Sequence, residues 1–109
     1  MILIVSASPR EREVLSAACE SHGWTCATAQ SVRETRLLLQ RMRPAVVVVR
    51  RELPDGYSDD IITTARQHGM PQRVIVLLRA ATTSAEAARQ LELGACQIQR
   101  DPEIGRAHV

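Results

Sequence analysis

Two runs of apolar residues dominate the chain. Ala45 to Val49 holds four consecutive valines, and Arg73 to Leu78 reads RVIVLL. Neither alternates with polar residues. β-Branched side chains pack well on a pleated surface, and an unbroken apolar run fits a parallel strand covered on both faces. Ile2 to Val5 is a shorter run of the same kind, and Trp24 to Ala29 a weaker one. Between these runs the apolar spacing changes to three and four residues, the helical period. Val14, Leu15, Ala18 and Cys19 mark one stripe, with Leu38, Leu39 and Met42, then Ile61, Ile62 and Ala65, marking the next two. A fourth stripe is built from small residues: Ala85, Ala87, Ala88, Leu91 and Leu93.

Helix boundaries are written beside these stripes. Ser8-Pro9 with Glu11, Ser31 with Glu34, and Thr83 with Glu86 each place a capping hydroxyl ahead of an acidic residue. Gly23, Gly69 and Gly94 stand where the first, third and fourth helices are expected to stop. The predicted helices run from Pro9 to about Ser21, from Ser31 to about Arg43, from Asp59 to His68, and from Thr83 to Gly94. Cys96 to Gln99 is then a short, poorly apolar fifth strand. The resulting β-α-β-α-β-α-β-α-β alternation implies an α/β fold with right-handed crossovers. The expected architecture is a single domain over residues 1–109 with a doubly wound, flavodoxin-like, five-stranded parallel sheet of order 2-1-3-4-5.

Composition narrows the chemistry. With one Trp, one Tyr and no Phe, the core must be aliphatic. All fourteen basic residues are arginine, which excludes a Schiff-base or phosphate-binding lysine. A net charge of +2 is too small to imply nucleic-acid binding by this domain. Cys19, Cys26 and Cys96 show no CxxC spacing and read as reduced, buried thiols. No apolar run approaches the length of a membrane span or signal peptide, so a cytoplasmic location is expected. His22 and His68 fall at helix ends on the edge opposite Ser6 and Arg50, and His108 lies in the tail. No catalytic triad or metal spacing emerges, so neither an enzyme nor a cofactor is expected.

The valine strand ends in Arg50-Arg51-Glu52, followed by the turn Leu53-Pro54-Asp55-Gly56. In open α/β sheets, ligands gather at that strand edge. The order ILIV-loop-helix, strand-xxx-Leu-Pro-Asp-Gly, VIVLL-x-Ala, and Leu-x-Leu-Gly-Ala leading to a final x-Pro resembles the receiver domains of two-component response regulators over nearly the whole length. That resemblance implies a signalling module, with helix four and the fifth strand (Arg89, Gln90, Gln97 and Gln99) as the surface for dimerisation and output. It also implies a pocket in which every functional position is substituted. Ser6 and Ala7 stand where receivers carry Mg²⁺-binding acids, Arg50 where the aspartate is phosphorylated, Arg79 for the hydroxyl residue, Asp101 for the lysine and Ile98 for the aromatic switch.

Arginine cannot act as a nucleophile, and its charge repels Mg²⁺. The expected function is therefore a phosphorylation-independent pseudo-receiver, a protein interaction or regulatory module of bacterial signalling. Its expected partner is a signalling component or its own output domain, with a homodimer as a further form. Arg50 and Asp101 invert the family's charges and are expected to pair. The alternative is a small-anion or nucleotide sensor using Ser8, Arg50, Arg51, Arg79 and Arg100 beside a helix N-terminus. A conventional phosphoacceptor, with Asp55 or Glu52 displaced into the role, is the remaining reading. The seven residues after Pro102 imply a shortened or missing fifth helix, hence an output region beyond this chain or a face covered by a partner.

Overall fold

Alternate valines of the central run face opposite sides of the sheet, and this fixes the layers. A computed structural model of the chain describes residues 1–67, 73–77 and 83–100. Strand β1 (Ile2–Val5) lies between β2 (Cys26–Ala29) and β3 (Val46–Arg50), and β3 pairs with β6 (Arg73–Leu77). All three pairings are parallel, and the order β2-β1-β3-β6 follows the expected 2-1-3-4 progression. Ile2, Ile4, Val46 and Val48 point to one face, where Leu15 and Cys19 of α1 (Pro9–Ser21) and Ala87 and Leu91 of α4 (Ser84–Arg100) cover them. Leu3, Val5, Val47 and Val49 point to the other, beneath Leu39 of α2 (Val32–Leu39) and Ile61 of α3 (Ser58–Gln67). With both faces covered, period-two alternation has nothing to separate, so the strands read as solid apolar runs.

The predicted caps form. Ser8 and Ser31 accept hydrogen bonds from the amides of Glu11 and Glu34, at 3.2 and 3.1 Å. Thr83 accepts from Glu86 at 3.1 Å. Helix α1 ends where predicted, with Gly23 in the left-handed region at φ 71° and the Trp24 amide donating back to the Cys19 carbonyl at 2.9 Å. His22 stacks on Trp24 with ring centres 4.3 Å apart, and its Nε2 lies 3.6 Å from Glu92 Oε1 on α4.

Two expectations are corrected and one gains detail. Helix α2 stops at Leu39 rather than near Arg43, because Arg41 and Met42 both turn back onto the Leu38 carbonyl. Pro44, which is buried, also biases the residue before it away from helix. The Leu53–Gly56 turn closes a small antiparallel hairpin, β4 (Glu52–Leu53) with β5 (Gly56–Tyr57). The third concerns the fifth strand: residues 96–99 continue α4 to Arg100, so the parallel sheet has four strands among the described residues. Cys96-Gln97-Ile98-Gln99 contains a single β-branched residue, and a lone glycine costs a helix only about 1 kcal/mol. Leu93 is 60% exposed, and α4 packs beside α1 on the same face of the sheet. A shortened fifth helix concerns residues 101–109, outside the described residues.

Gly56 sits where the hairpin meets α2 and α3. A Cβ there would lie 2.6 Å from Asp60 Oδ2 and 3.1 Å from Val32 Cγ2. Asp60 uses that oxygen to accept from the Tyr57 amide at 3.0 Å, so it can yield only by giving up the bond. Gly56→Ala is expected to lower stability by about 1–2 kcal/mol, through the lost bond and the crowding of Val32. Equilibrium urea unfolding measures it.

Candidate functional site

The C-terminal ends of β1 and β3 open onto a cavity of about 820 Å³. The loop after β1 supplies Ser6, Ala7 and Ser8, the first turns of α1 supply Arg10, Glu11 and Val14, and the end of β3 supplies Arg50 with Glu52 beyond it. The start of α4 closes the side through Thr83 and Ala85.

The wall of this cavity is organised by one buried ion pair. Glu11 lies in the first turn of α1, with its side chain only 4% exposed. Arg50 Nε donates to both of its oxygens, at 2.8 and 3.0 Å, and Arg50 Nη2 donates to Oε2 as well. Burial raises the Glu11 pKa, but hydrogen bonds from Arg50 and Ser6, with the Arg50 charge, outweigh it and hold the carboxyl below its ordinary range. The Glu11 bond in turn pushes the Arg50 guanidinium upward. Ser6, buried beside them, accepts from the Ser8 amide at 3.2 Å, and its carbonyl accepts from Arg12 Nη1 at 2.7 Å. The whole β1–α1 loop is therefore wrapped around the Glu11 carboxylate.

A second acid holds the rim. Asp55, at the tip of the β4–β5 hairpin, accepts from the amides of Val32 and Arg33 at 2.8 and 3.0 Å. The carboxylate satisfies two amides that α2 leaves without intrahelical partners. Those bonds, Arg33's first and then Val32's, lower the Asp55 pKa. Asp55→Asn loses the charge and one of the two acceptors, its NH2 facing an amide N–H; Asp55→Ala loses both bonds. Both are expected to lower the melting temperature, and the gap from wild type should shrink as pH falls through the folded pKa of Asp55, below the usual carboxylate range. Melting curves at pH 7 and pH 3 test this.

Of the residues picked out from sequence, Ser6, Ala7, Ser8 and Arg50 meet at this cavity. Arg51 is exposed and does not line it. Arg79 and Asp101 lie outside the described residues, and so does the expected Arg50–Asp101 pairing. Arg100 was expected at this edge, after a fifth strand. It is instead the last residue of α4, about 24 Å along the helix axis from the first. Arg89 and Gln90 are exposed on α4, while Gln97 and Gln99 belong to its final turns rather than to a strand.

Glu11 is the residue sequence reasoning missed, having been read only as a capping partner. The available signal was positional. An acid in the first turn after β1 must lie near the end of the neighbouring strand, where Arg50 needed a counter-charge. Among the described residues, no group of three or more His, Cys, Asp and Glu side chains is arranged to hold a metal ion. None of the described helices is long and apolar enough to cross a membrane.

No family model matches the chain. A curated relative, the photosynthetic apparatus regulatory protein RegA of Cereibacter sphaeroides, is 33% identical over 88 residues, covering 81% of this chain. The matched region is 47% of RegA, so the chain spans about half the length of that relative. Among solved structures, the chemotaxis response regulator CheY4 of Vibrio cholerae superposes with a TM-score of 0.74 at 16% identity, over 84% of this chain and 95% of CheY4. The beryllofluoride-activated receiver domain of NtrC4, solved as a dimer, has a TM-score of 0.68 at 21% identity, over 98% of this chain and 94% of NtrC4's. At these identities the structural likenesses speak for the fold.

Proposed function

Because this chain has the fold of a response-regulator receiver domain, and because Arg50 closes its strand edge onto Glu11, we propose that it is a phosphorylation-independent pseudo-receiver. In this reading it is a non-catalytic interaction or regulatory module of bacterial signal transduction, working in the cytoplasm. The observation that carries the proposal is the ion pair. At the position that the receiver resemblance assigns to the phosphorylated aspartate stands a cation, and its counter-ion comes from the protein itself. A phosphoryl group needs a carboxylate nucleophile and a divalent cation on oxygen ligands. Here Glu11 is committed to Arg50, and Ser6 and Ala7 carry no acid. The edge thus holds one charge arrangement permanently instead of acquiring one on phosphorylation.

The partner in this reading is a protein, either a separate signalling component or an output region of the same polypeptide. RegA, the curated relative, is more than twice the matched length, and NtrC4's activated receiver is a dimer. The exposed face of α4, with Arg89, Gln90 and the unusually exposed Leu93, is the surface we assign to it. Neither a membrane nor nucleic acid is assigned to this domain.

A small-anion or nucleotide sensor is the second reading. The cavity beside Arg10 and the start of α1 favours it, and Glu11 opposes it by already neutralising Arg50.

The test uses acetyl phosphate with Mg²⁺, and separately beryllofluoride. No phosphoryl adduct by intact mass and no rise in melting temperature are expected. A stable adduct on Asp55 or Glu52 would overturn the proposal. A thermal shift with inorganic phosphate or a cyclic dinucleotide alone would transfer it to the second reading.

A further inference from the structure

At the opposite end of α1 from Glu11 lies a pair of sulfurs that the proposed function does not use. Cys19, in the last turns of α1, is fully buried in the cluster formed with Ile2, Leu15 and Leu91. Cys26, the first residue of β2, is half-buried and packs against the same cluster. The chain between them reverses tightly through Gly23, whose positive φ suits the turn, and the Trp24 amide is bound to the Cys19 carbonyl itself. The reversal sets Cys26 beside Ile2 in the sheet, so that both cysteines pack into one cluster on the same face. Both are free.

We propose that Cys19 and Cys26 form a reversible intrachain disulfide that fastens the end of α1 to the start of β2. Closing the bond brings the two sulfurs to about 2.05 Å. The two cysteines take different parts. Burial, and then the neighbouring Cys26, push the Cys19 thiol up to about 12, so it stays protonated and hidden. Cys26 is the entry point, because it is the one that solvent reaches. Its thiolate attacks a sulfur of a small-molecule disulfide, forming a mixed disulfide and releasing one small thiolate, which takes up a proton. Cys19 then attacks the Cys26 sulfur, its proton passing to the departing small thiolate, which leaves as the second small thiol. The protein loses two hydrogens and two electrons, and the small disulfide gains both. Since Cys19 packs in the same cluster, the mixed disulfide resolves internally.

Oxidation would then clamp α1 at both ends, by sulfur at one and by the Glu11–Arg50 pair at the other. In a reducing cytosol such a bond is transient, which suits a sensor rather than a staple.

The experiment treats the folded chain, in a Cys96→Ser background, with oxidised glutathione, followed by intact mass and peptide mapping. Loss of two hydrogens, with a Cys19–Cys26 cross-linked peptide that dithiothreitol reverses, is expected. In Cys19→Ser the glutathione adduct on Cys26 should persist. Cys26→Ser should take up at least tenfold less adduct than Cys19→Ser. Circular dichroism on each variant establishes that it is folded. A folded Cys96→Ser protein that keeps the adduct on Cys26 without closing overturns the proposal. So does closure that appears only in urea, or an adduct that enters at Cys19 first.

Discussion

Glu11→Gln is expected to destabilise the fold by about 3 kcal/mol, the largest effect of any polar substitution in this molecule. Removing one member of a buried ion pair leaves the other desolvated without its counter-charge, which costs about 3–5 kcal/mol when both are fully buried. Arg50 retains 18% side-chain exposure, so the lower end of that range applies. Arg50→Met should cost a similar amount, since it strands a carboxylate that is only 4% exposed. The double variant Glu11→Leu with Arg50→Met should recover most of the loss, because apolar pairs of similar volume often replace buried ion pairs without penalty. A double-mutant cycle in urea measures the coupling, and near-additive losses would refute it. The pH dependence has a definite sign. The folded pKa of Glu11 is depressed. Its contribution is therefore complete above the unfolded value, ~4.3, and is lost as pH falls through the lower folded value. Asp55 acts in the same direction. The wild-type protein should lose stability steeply below about pH 4, and Glu11→Gln should show a shallower acid limb.

Leu15→Ala is expected to cost about 3 kcal/mol, from the 2–5 kcal/mol range for buried leucines. Leu15 is fully buried where α1 meets Ile2, Ile4, Val46, Val48 and Leu91. These neighbours are aliphatic, and most are β-branched. Stiff side chains of this kind cannot swing into the vacated volume as a methionine or an aromatic ring might be redirected. Leu15→Met should cost less than 1.5 kcal/mol, as volume-conserving swaps do. By contrast, Leu37→Ala, at a residue 53% exposed, should stay within about 0.5 kcal/mol of wild type. Urea midpoints with unchanged m-values would establish that these are losses of native stability.

The strands and helix starts were legible because each is encoded locally. Val46 to Val49 can only be a doubly covered strand, and Ser8, Ser31 and Thr83 announce helices by side-chain chemistry that needs no tertiary partner. Helix ends were less legible. Leu39 ends α2 because of Pro44 and a turn at Leu38, while the Gly94 signal is overridden within α4, where residues 96–99 continue the helix. At the site, Arg50 was visible as a misplaced cation. Its partner was not, because Glu11 is 39 residues away and carries an adequate local explanation as a cap. Asp55 was likewise read as a turn residue, and its two bonds to α2 depend on how the hairpin docks.

The Glu11–Arg50 pair also constrains descent. Arg50→Asp alone, which would place an acid where the receiver resemblance puts the nucleophile, would set a second carboxylate beside the buried Glu11. One of them would have to stay protonated, and neither would be positioned to share a metal with Ser6 or Ala7. Arg50→Asp is thus expected to be destabilising, and changing Glu11 first strands the guanidinium instead. Each route back crosses a less stable intermediate. In the proposed pseudo-receiver the charge pair therefore works as a ratchet, since each single substitution toward a nucleophile at this edge lowers stability.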